Sequence, residues 1–131
     1  MDVNSIVTLD IEKAVAGGRM LARHDGQVVF VWGAIPGERV SARIERVAKH
    51  VLYGTTVDVV TPSPDRREVA GDWRCGGNVY AHIDYERQRK LKAEILVDSL
   101  RRIGRIALPA EPEVVGSPAT GYRMRARLHA R

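Results

Sequence analysis

Few side chains in this sequence could carry out chemistry by themselves. Cys75 is the single cysteine among 131 residues, so the chain cannot form an internal disulfide, and a reducing, cytoplasmic setting is expected. Cys75 and His82 could each ligate a metal ion, but a structural zinc site needs four ligands. We therefore expect no metal site.

Lysine and arginine are far more numerous than these possible metal ligands. The chain has 21 Lys+Arg against 16 Asp+Glu, a net charge of +5, which favours an anionic partner and above all a nucleic acid. Long basic side chains near turns and strand ends can reach a phosphate without being buried. Five residues of this kind are candidate phosphate contacts: Arg19, Arg23, Lys49, Arg66 and Arg67. The alternative is that they are solvated surface charges of an ordinary small domain.

Composition and length exclude several classes of protein. A hydrophobic fraction of 44% can bury a core, so the chain should fold as one domain or two small ones. Its longest apolar run, Val28–Trp32, is far shorter than the roughly 20 residues that cross a bilayer. We therefore expect a folded monomer without a membrane segment.

The first half of the chain is predicted to form five strands. Four segments alternate apolar and polar residues with a period of two, and the third strand is a short, β-branched and continuously apolar run. The predicted strands span residues 5–12, 19–23, 27–32, 40–45 and 51–60. Asp25-Gly26 is typical of a tight hairpin turn between the second and third. Five short antiparallel strands fit a closed barrel better than a flat sheet, because closure removes exposed edges. Residues 4–64 are predicted to form an OB-like five-stranded antiparallel barrel.

Aromatic residues make up only 5% of the chain, so few are available to fill this barrel. Trp32 and Tyr53 are therefore predicted to lie in the barrel core or at its rim. Trp73, in a loop flanked by arginines, is the preferred candidate for stacking on a nucleic-acid base, an interaction worth about 1–3 kcal/mol per base.

Residues 65–131 are predicted to begin a second unit, a partial α+β domain with one long helix. After an irregular loop, apolar residues at helical spacing predict a helix over about residues 84–103. Asp84 is a suitable N-cap, and Gly104 can act as the C-terminal stop. The whole chain is thus expected to be mainly β with one long helix.

The end of the chain alternates without interruption from Tyr122 to Arg131, which predicts a strand. Arg123, Arg125 and Arg127 would share one face of this strand and are further candidate nucleic-acid contacts. A strand this regular needs neighbours that this chain does not provide, so we expect later strands of a longer protein to pair with it.

Several segments resemble, in the same order, the RNA (uracil-5-)-methyltransferase family. Residues 19–40, RMLARHDGQVVFVWGAIPGERV, look like the TRAM domain that begins these enzymes. Residues 62–66 resemble the exit from that domain, and residues 75–77 the start of a cysteine motif. Residues 82–88 resemble the helix that follows, and residues 121–128 the strand that opens the central domain. The resemblance covers nearly the whole chain.

The resemblance implies an S-adenosylmethionine (SAM)-dependent enzyme that uses a cysteine nucleophile to methylate a uracil ring carbon in rRNA or tRNA. In the family, the SAM site and that cysteine lie well past the segment that residues 121–128 resemble. This chain has no glycine-rich strand-to-helix turn, because Gly17-Gly18 opens a hairpin. The chain alone is therefore expected to bind no SAM and to be inactive.

Some members of the family bind a four-iron cluster through Cys-x5-Cys-Gly-Gly-Cys and a distant fourth cysteine. In this sequence Val69 and Asn78 stand where two of those ligands would be needed, and only Cys75 matches. One thiolate cannot hold a cluster, so no iron–sulfur cluster is expected.

Two functions remain open from the sequence. The first is the RNA-binding N-terminal part of an RNA (uracil-C5) methyltransferase whose partner is RNA rather than DNA. The alternative is a free-standing TRAM or OB-fold module that binds or chaperones RNA without enzymatic activity. The segment 121–128 favours the first, because a complete small protein is not expected to end in an unpaired basic strand.

Overall fold

A computed structural model describes residues 2–69, 78–125 and 127 of the protein. The five strands that it contains are β1 (Ile6–Ala14), β2 (Met20–His24), β3 (Gln27–Trp32), β4 (Arg39–Val47) and β5 (Val51–Thr61). One helix follows, α1 (Tyr85–Arg102). Each strand lies within two residues of its predicted bounds, so the alternating segments and the short apolar run together located all five.

The strands close into a barrel in the order β1-β2-β3-β5-β4, with β4 pairing back onto β1. The prediction of a mainly β chain with an OB-like barrel and one helix is confirmed. One detail was wrong: β3 and β5 pair in parallel, whereas the other four pairs are antiparallel. An odd number of strands cannot alternate direction around a closed ring, so one parallel pair is unavoidable.

The barrel interior is filled by alternate residues of the strands. Its most deeply buried side chains include Leu9, Met20, Val29, Val31, Val40, Ile44 and Leu52. Burial of a side chain of this size contributes about 1.5–3 kcal/mol to folding. Because the period is two, the residues between them must point outward, which leaves one side chain in two available for contacts outside the barrel.

Gly54 lies where β5 passes close to the backbone of β4. A Cβ atom at this position would lie 2.8 Å from the carbonyl oxygen of Arg43. We expect Gly54→Ala to force the two strands apart and to lower the free energy of unfolding by about 1–3 kcal/mol, measured by urea denaturation. Val57→Ala, at an exposed position of the same strand, is the control and should change stability little. Equal stability of the two variants would contradict this account of the strand crossing.

Helix α1 packs on the barrel and occupies nearly the predicted range. Its own residues Leu91 and Ala93 are buried. Lys13 Nζ of β1 lies 3.3 Å from Asp98 Oδ1 of the helix. Asp84 stands at the N-cap, as predicted, although its side chain makes no capping hydrogen bond. The positive φ after the helix belongs to Arg105 rather than to Gly104. No helix in the described part of the chain is both long and apolar enough to span a membrane.

The strand predicted over residues 122–131 is not formed by its described residues, 122–125 and 127. Tyr122 is 56% exposed and Met124 is 99% exposed, so the apolar side of the alternating pattern is uncovered. A strand needs a neighbouring strand with a free edge. In the closed barrel both edges of every strand are already paired. Alternation alone was therefore insufficient to produce a strand here.

Candidate nucleic-acid interface

Three aromatic side chains lie together on the outside of the barrel, on the neighbouring strands β3 and β5. Phe30, Trp32 and Tyr53 are each partly exposed, and the rings of Phe30 and Tyr53 have centroids 5.8 Å apart. Trp32 and Tyr53 were predicted to lie in the barrel core or at its rim; neither lies in the core, because Val29 and Val31 take the interior positions of β3. We call these three outward residues the aromatic face.

Two arginines stack on the aromatic face. The Cζ atom of Arg19 lies 4.6 Å from the ring centroid of Trp32 and 4.8 Å from that of Tyr53, so its guanidinium contacts both rings. Arg46 Cζ lies 3.9 Å from the Tyr53 centroid. Cation–π contacts of this kind contribute about 0.5–2 kcal/mol each. Burial lowers the pKa of the Arg19 guanidinium from its ordinary value, a sign of its partial removal from water.

Arg23 and Lys49 lie toward one end of the same side of the barrel. Arg23 on β2 pairs in register with Val28 of β3, and Val28 pairs in turn with Val51 of β5. The Arg23 side chain is 63% exposed and its Nε lies 3.4 Å from Glu12 Oε2, an exposed ion pair that is easily exchanged. Lys49 is exposed in the turn that precedes Val51. Arg19 and Arg23 therefore lie on the β2–β3 side of the barrel, and Lys49 lies at one end of that side.

Arg66 is held by a buried carboxylate. Its Nε donates to Glu38 Oε2 and its Nη2 donates to Glu38 Oε1, both at 2.7 Å, and Nη2 also donates to the carbonyl oxygen of Gly33 at 2.8 Å. Glu38 is 1% exposed and also accepts the backbone N–H groups of Ile35 and Ser63. Arg66 thus fastens the segment after β5 to the turn between β3 and β4.

Burial by itself would raise the pKa of Glu38 above its ordinary value. The hydrogen bonds from Arg66 and from the Ser63 and Ile35 amides outweigh it and hold that pKa below its ordinary value. His82 lies close by, is 4% exposed, and donates from Nε2 to the carbonyl oxygen of Ala34 at 2.8 Å. Desolvation lowers the pKa of His82, so the neutral imidazole is favoured. Glu38, Arg66 and His82 form what we call the buried joint.

Comparison with known proteins agrees with this architecture. The TRAM domain family matches residues 2–57. An uncharacterized RNA methyltransferase of Corynebacterium diphtheriae is 36% identical over 129 residues, which cover 95% of this chain and 30% of the relative. The 23S rRNA (uracil(1939)-C(5))-methyltransferase RlmD of Methylococcus capsulatus is 38% identical over 129 residues, which cover 95% of this chain and 29% of the relative.

The chain is thus similar to RNA methyltransferases over nearly its whole length, and its residues 2–57 match the TRAM domain. It spans about 30% of the length of these curated relatives. A conserved protein from Methanococcus maripaludis, known from a solution structure, is 28% identical in sequence. The match covers 44% of this chain and 81% of the Methanococcus protein, with a TM-score of 0.41. The resemblance seen in the sequence is confirmed.

The remaining predicted contacts lie outside the TRAM domain. Arg67 is exposed, with its Nε donating to the carbonyl oxygen of Ala81 at 3.0 Å. Trp73 and Cys75 lie outside the described residues. Three arginines near the chain end are exposed, but no strand gives them a common face: Arg123, Arg125 and Arg127. Contact of any of these residues with RNA stays a prediction.

Sequence reasoning missed Phe30 and Arg46 as parts of the site. Phe30 lies in the continuous apolar run Val28–Trp32, which does not show which residues face outward. Arg46 is in phase with the buried residues Ala42 and Ile44, and it faces outward because the pairing of β4 with β5 is irregular between Ile44 and Arg46. Glu38 was also missed. A carboxylate in a turn between two strands is an ordinary surface feature, and only the fold shows that Arg66, 28 residues later, closes over it.

The sequence predicts neither a metal site nor a SAM site in this chain. No group of three or more His, Cys, Asp or Glu side chains in that part of the chain could hold a metal ion. SAM use is implied by the family for the complete enzyme. Gly17 and Gly18 have φ values of 98° and 93° and connect two strands of the TRAM domain, rather than a strand and a helix. Nucleotide-binding sites of the Rossmann type use a glycine-rich turn between a strand and a helix, and this turn does not have that arrangement.

Proposed function

We propose that this chain is the RNA-binding part of a SAM-dependent RNA (uracil-C5) methyltransferase that acts on rRNA or tRNA. The similarity to RNA methyltransferases covers 95% of the chain and so extends well beyond the TRAM domain. This extent favours part of an enzyme over a free-standing RNA-binding module. In the proposal, the chain positions the RNA and the remainder of the enzyme supplies SAM and the nucleophile.

The observation that carries RNA binding is the aromatic face with its stacked arginines. Proteins that bind single-stranded RNA combine cations for the phosphates with aromatic rings on which bases stack. OB-fold barrels commonly bind oligonucleotides on the side formed by their second and third strands. Phe30 and Trp32 lie on β3, with Arg23 beside them on β2. Both kinds of contact are thus available on one side of the barrel.

The proposal extends to the setting of the protein. We propose a cytoplasmic monomer that binds RNA rather than DNA, with residues 4–64 as the barrel domain and residues 65–131 as the start of a second domain. The lone cysteine of the sequence and the bacterial RNA methyltransferases among its relatives support this setting.

The binding surface can be mapped by titrating the ¹⁵N-labelled chain with a single-stranded oligo(U) RNA of eight nucleotides. We expect the largest amide shifts in β3 and β5, around Phe30 and Tyr53, because bases should stack there. The matched control region is the exposed ion pair between Asp10 of β1 and Arg39 of β4, where Nε lies 2.8 Å from Oδ1. Shifts centred on that pair, or no shifts at low salt, would contradict the proposed surface.

A further inference from the structure

A small cavity lies beside the aromatic face, under the turn that joins β1 to β2. It has a volume of about 230 Å³. Its walls come from that turn, from the rings of β3 and β5, and from one guanidinium: Val15, Ala16, Gly17, Arg19, Phe30 and Tyr53. The cavity therefore combines flat apolar walls with a single fixed cation.

Arg19 lines this cavity and carries an unpaired hydrogen-bond donor. Its Nη1 is buried and has no hydrogen-bond partner within the described ranges 2–69, 78–125 and 127. Buried donors are normally paired, and an unpaired one costs free energy. Trp32 and Tyr53 contact Arg19 through cation–π interactions, which leave this donor without an acceptor. A suitable ligand would supply that acceptor.

The turn itself leaves the space open. Gly17 has a φ of 98°, and a Cβ atom built on it would meet nothing within 4 Å. The backbone N–H of Val15 donates to the carbonyl oxygen of Arg19 at 3.1 Å, which fixes the turn over the cavity. The cavity is thus bounded by backbone that is held in place, not by a side chain that fills it.

We propose that this cavity binds one unstacked nucleobase of the RNA, with a keto oxygen of the base accepting a hydrogen bond from Arg19. The inference rests on the proposed RNA-binding function and names a subsite within it. Arginine can only donate hydrogen bonds, so it matches the keto oxygens of uracil, whereas adenine has no keto oxygen and offers only ring nitrogens as acceptors. A phosphate fits the apolar walls less well, because those rings would strip it of water.

Fluorescence anisotropy with three RNA oligomers of equal length and charge tests the subsite: oligo(U), oligo(A) and an abasic oligomer. We expect oligo(U) to bind the wild-type chain about tenfold more tightly than the abasic oligomer, as one stacked base provides, and more tightly than oligo(A). Arg19→Lys keeps the charge but loses the planar fork, so it should remove the preference for oligo(U). Arg23→Lys, on the same side of the barrel, should retain it.

Ala16→Leu serves as a second variant in case Arg19→Lys disturbs the stacked rings. Ala16 is exposed and lines the cavity, so a larger side chain should narrow it without affecting the core. It too should abolish the preference for oligo(U). Equal binding of all three oligomers, or an unchanged preference in both variants, would overturn the subsite while leaving RNA binding intact. Failure of every oligomer to bind at low salt would overturn the proposed function itself.

Discussion

Replacement of Arg66 by methionine is expected to lower the free energy of unfolding by about 3–5 kcal/mol, because it leaves a buried carboxylate without its counter-ion. Glu38 is 1% exposed, and Arg66 supplies two of its charge-assisted hydrogen bonds. The remaining Ile35 and Ser63 amides cannot neutralise the charge. Urea denaturation followed by tryptophan fluorescence measures the change.

The control for this variant is Arg39→Met, which removes the exposed ion pair with Asp10. Pairs in contact with water contribute little, so this variant should stay close to the wild type. If Arg66→Met were as stable as Arg39→Met, the buried joint would not hold the segment after β5 onto the barrel. Arg66 would then be free to serve as the phosphate contact that its place in the sequence suggests.

The buried joint also gives stability a defined dependence on pH. The folded-state pKa of Glu38 lies below its unfolded value of about 4.3, so its stabilisation is full above that pH and is lost as pH falls through the folded pKa. The folded-state pKa of His82 is likewise lowered, so protonation of the unfolded chain reduces stability as pH drops from about 6.5. Arg66→Met should shrink the Glu38 step, because the guanidinium no longer lowers that pKa.

The double variant Phe30→Leu with Tyr53→Leu is expected to weaken binding of single-stranded RNA by roughly thirtyfold or more. Each stacked base contributes about 1–3 kcal/mol, so the loss of two rings should cost at least about 2 kcal/mol. Leucine keeps apolar bulk on the partly exposed side of β3 and β5, so folding should survive. Anisotropy titration with oligo(U) measures the dissociation constant, and urea denaturation checks the fold.

The matched control is Tyr85→Leu, which removes a partly exposed ring from α1, away from the barrel strands. It should leave RNA affinity within about twofold of the wild type, because no stacking site is proposed there. Similar losses in the double variant and in Tyr85→Leu would mean that the aromatic face has no special role in binding.

Local patterns in the sequence were sufficient to place the strands of the barrel. Alternation located four strands and a short apolar run located β3, and Asp25-Gly26 takes positive φ values, 48° and 79°, in the turn between β2 and β3. These features depend on neighbouring residues, and a period of two is visible without knowledge of the fold. The parallel pairing of β3 with β5 was missed because it follows from closure of the ring rather than from either strand.

The candidate site was harder to predict because it depends on which side of a strand faces inward. In the continuous apolar run Val28–Trp32, the sequence gives no sign that Val29 and Val31 are core residues while the two rings face outward. The partner of Arg66 was hidden for a related reason, since 28 residues separate it from Glu38. Arg19 was selected from the sequence as a candidate phosphate contact, but its stacking on Trp32 and Tyr53 arises only when three strands meet.

The salt dependence of RNA affinity tests most directly whether this chain binds RNA through its arginines. If about four phosphates are contacted, the log–log slope of affinity for single-stranded RNA against salt concentration should be roughly −3, at about −0.7 per contact. Filter binding of oligo(U) between low and physiological salt measures it. A slope near zero, or no binding even at low salt, would contradict the account.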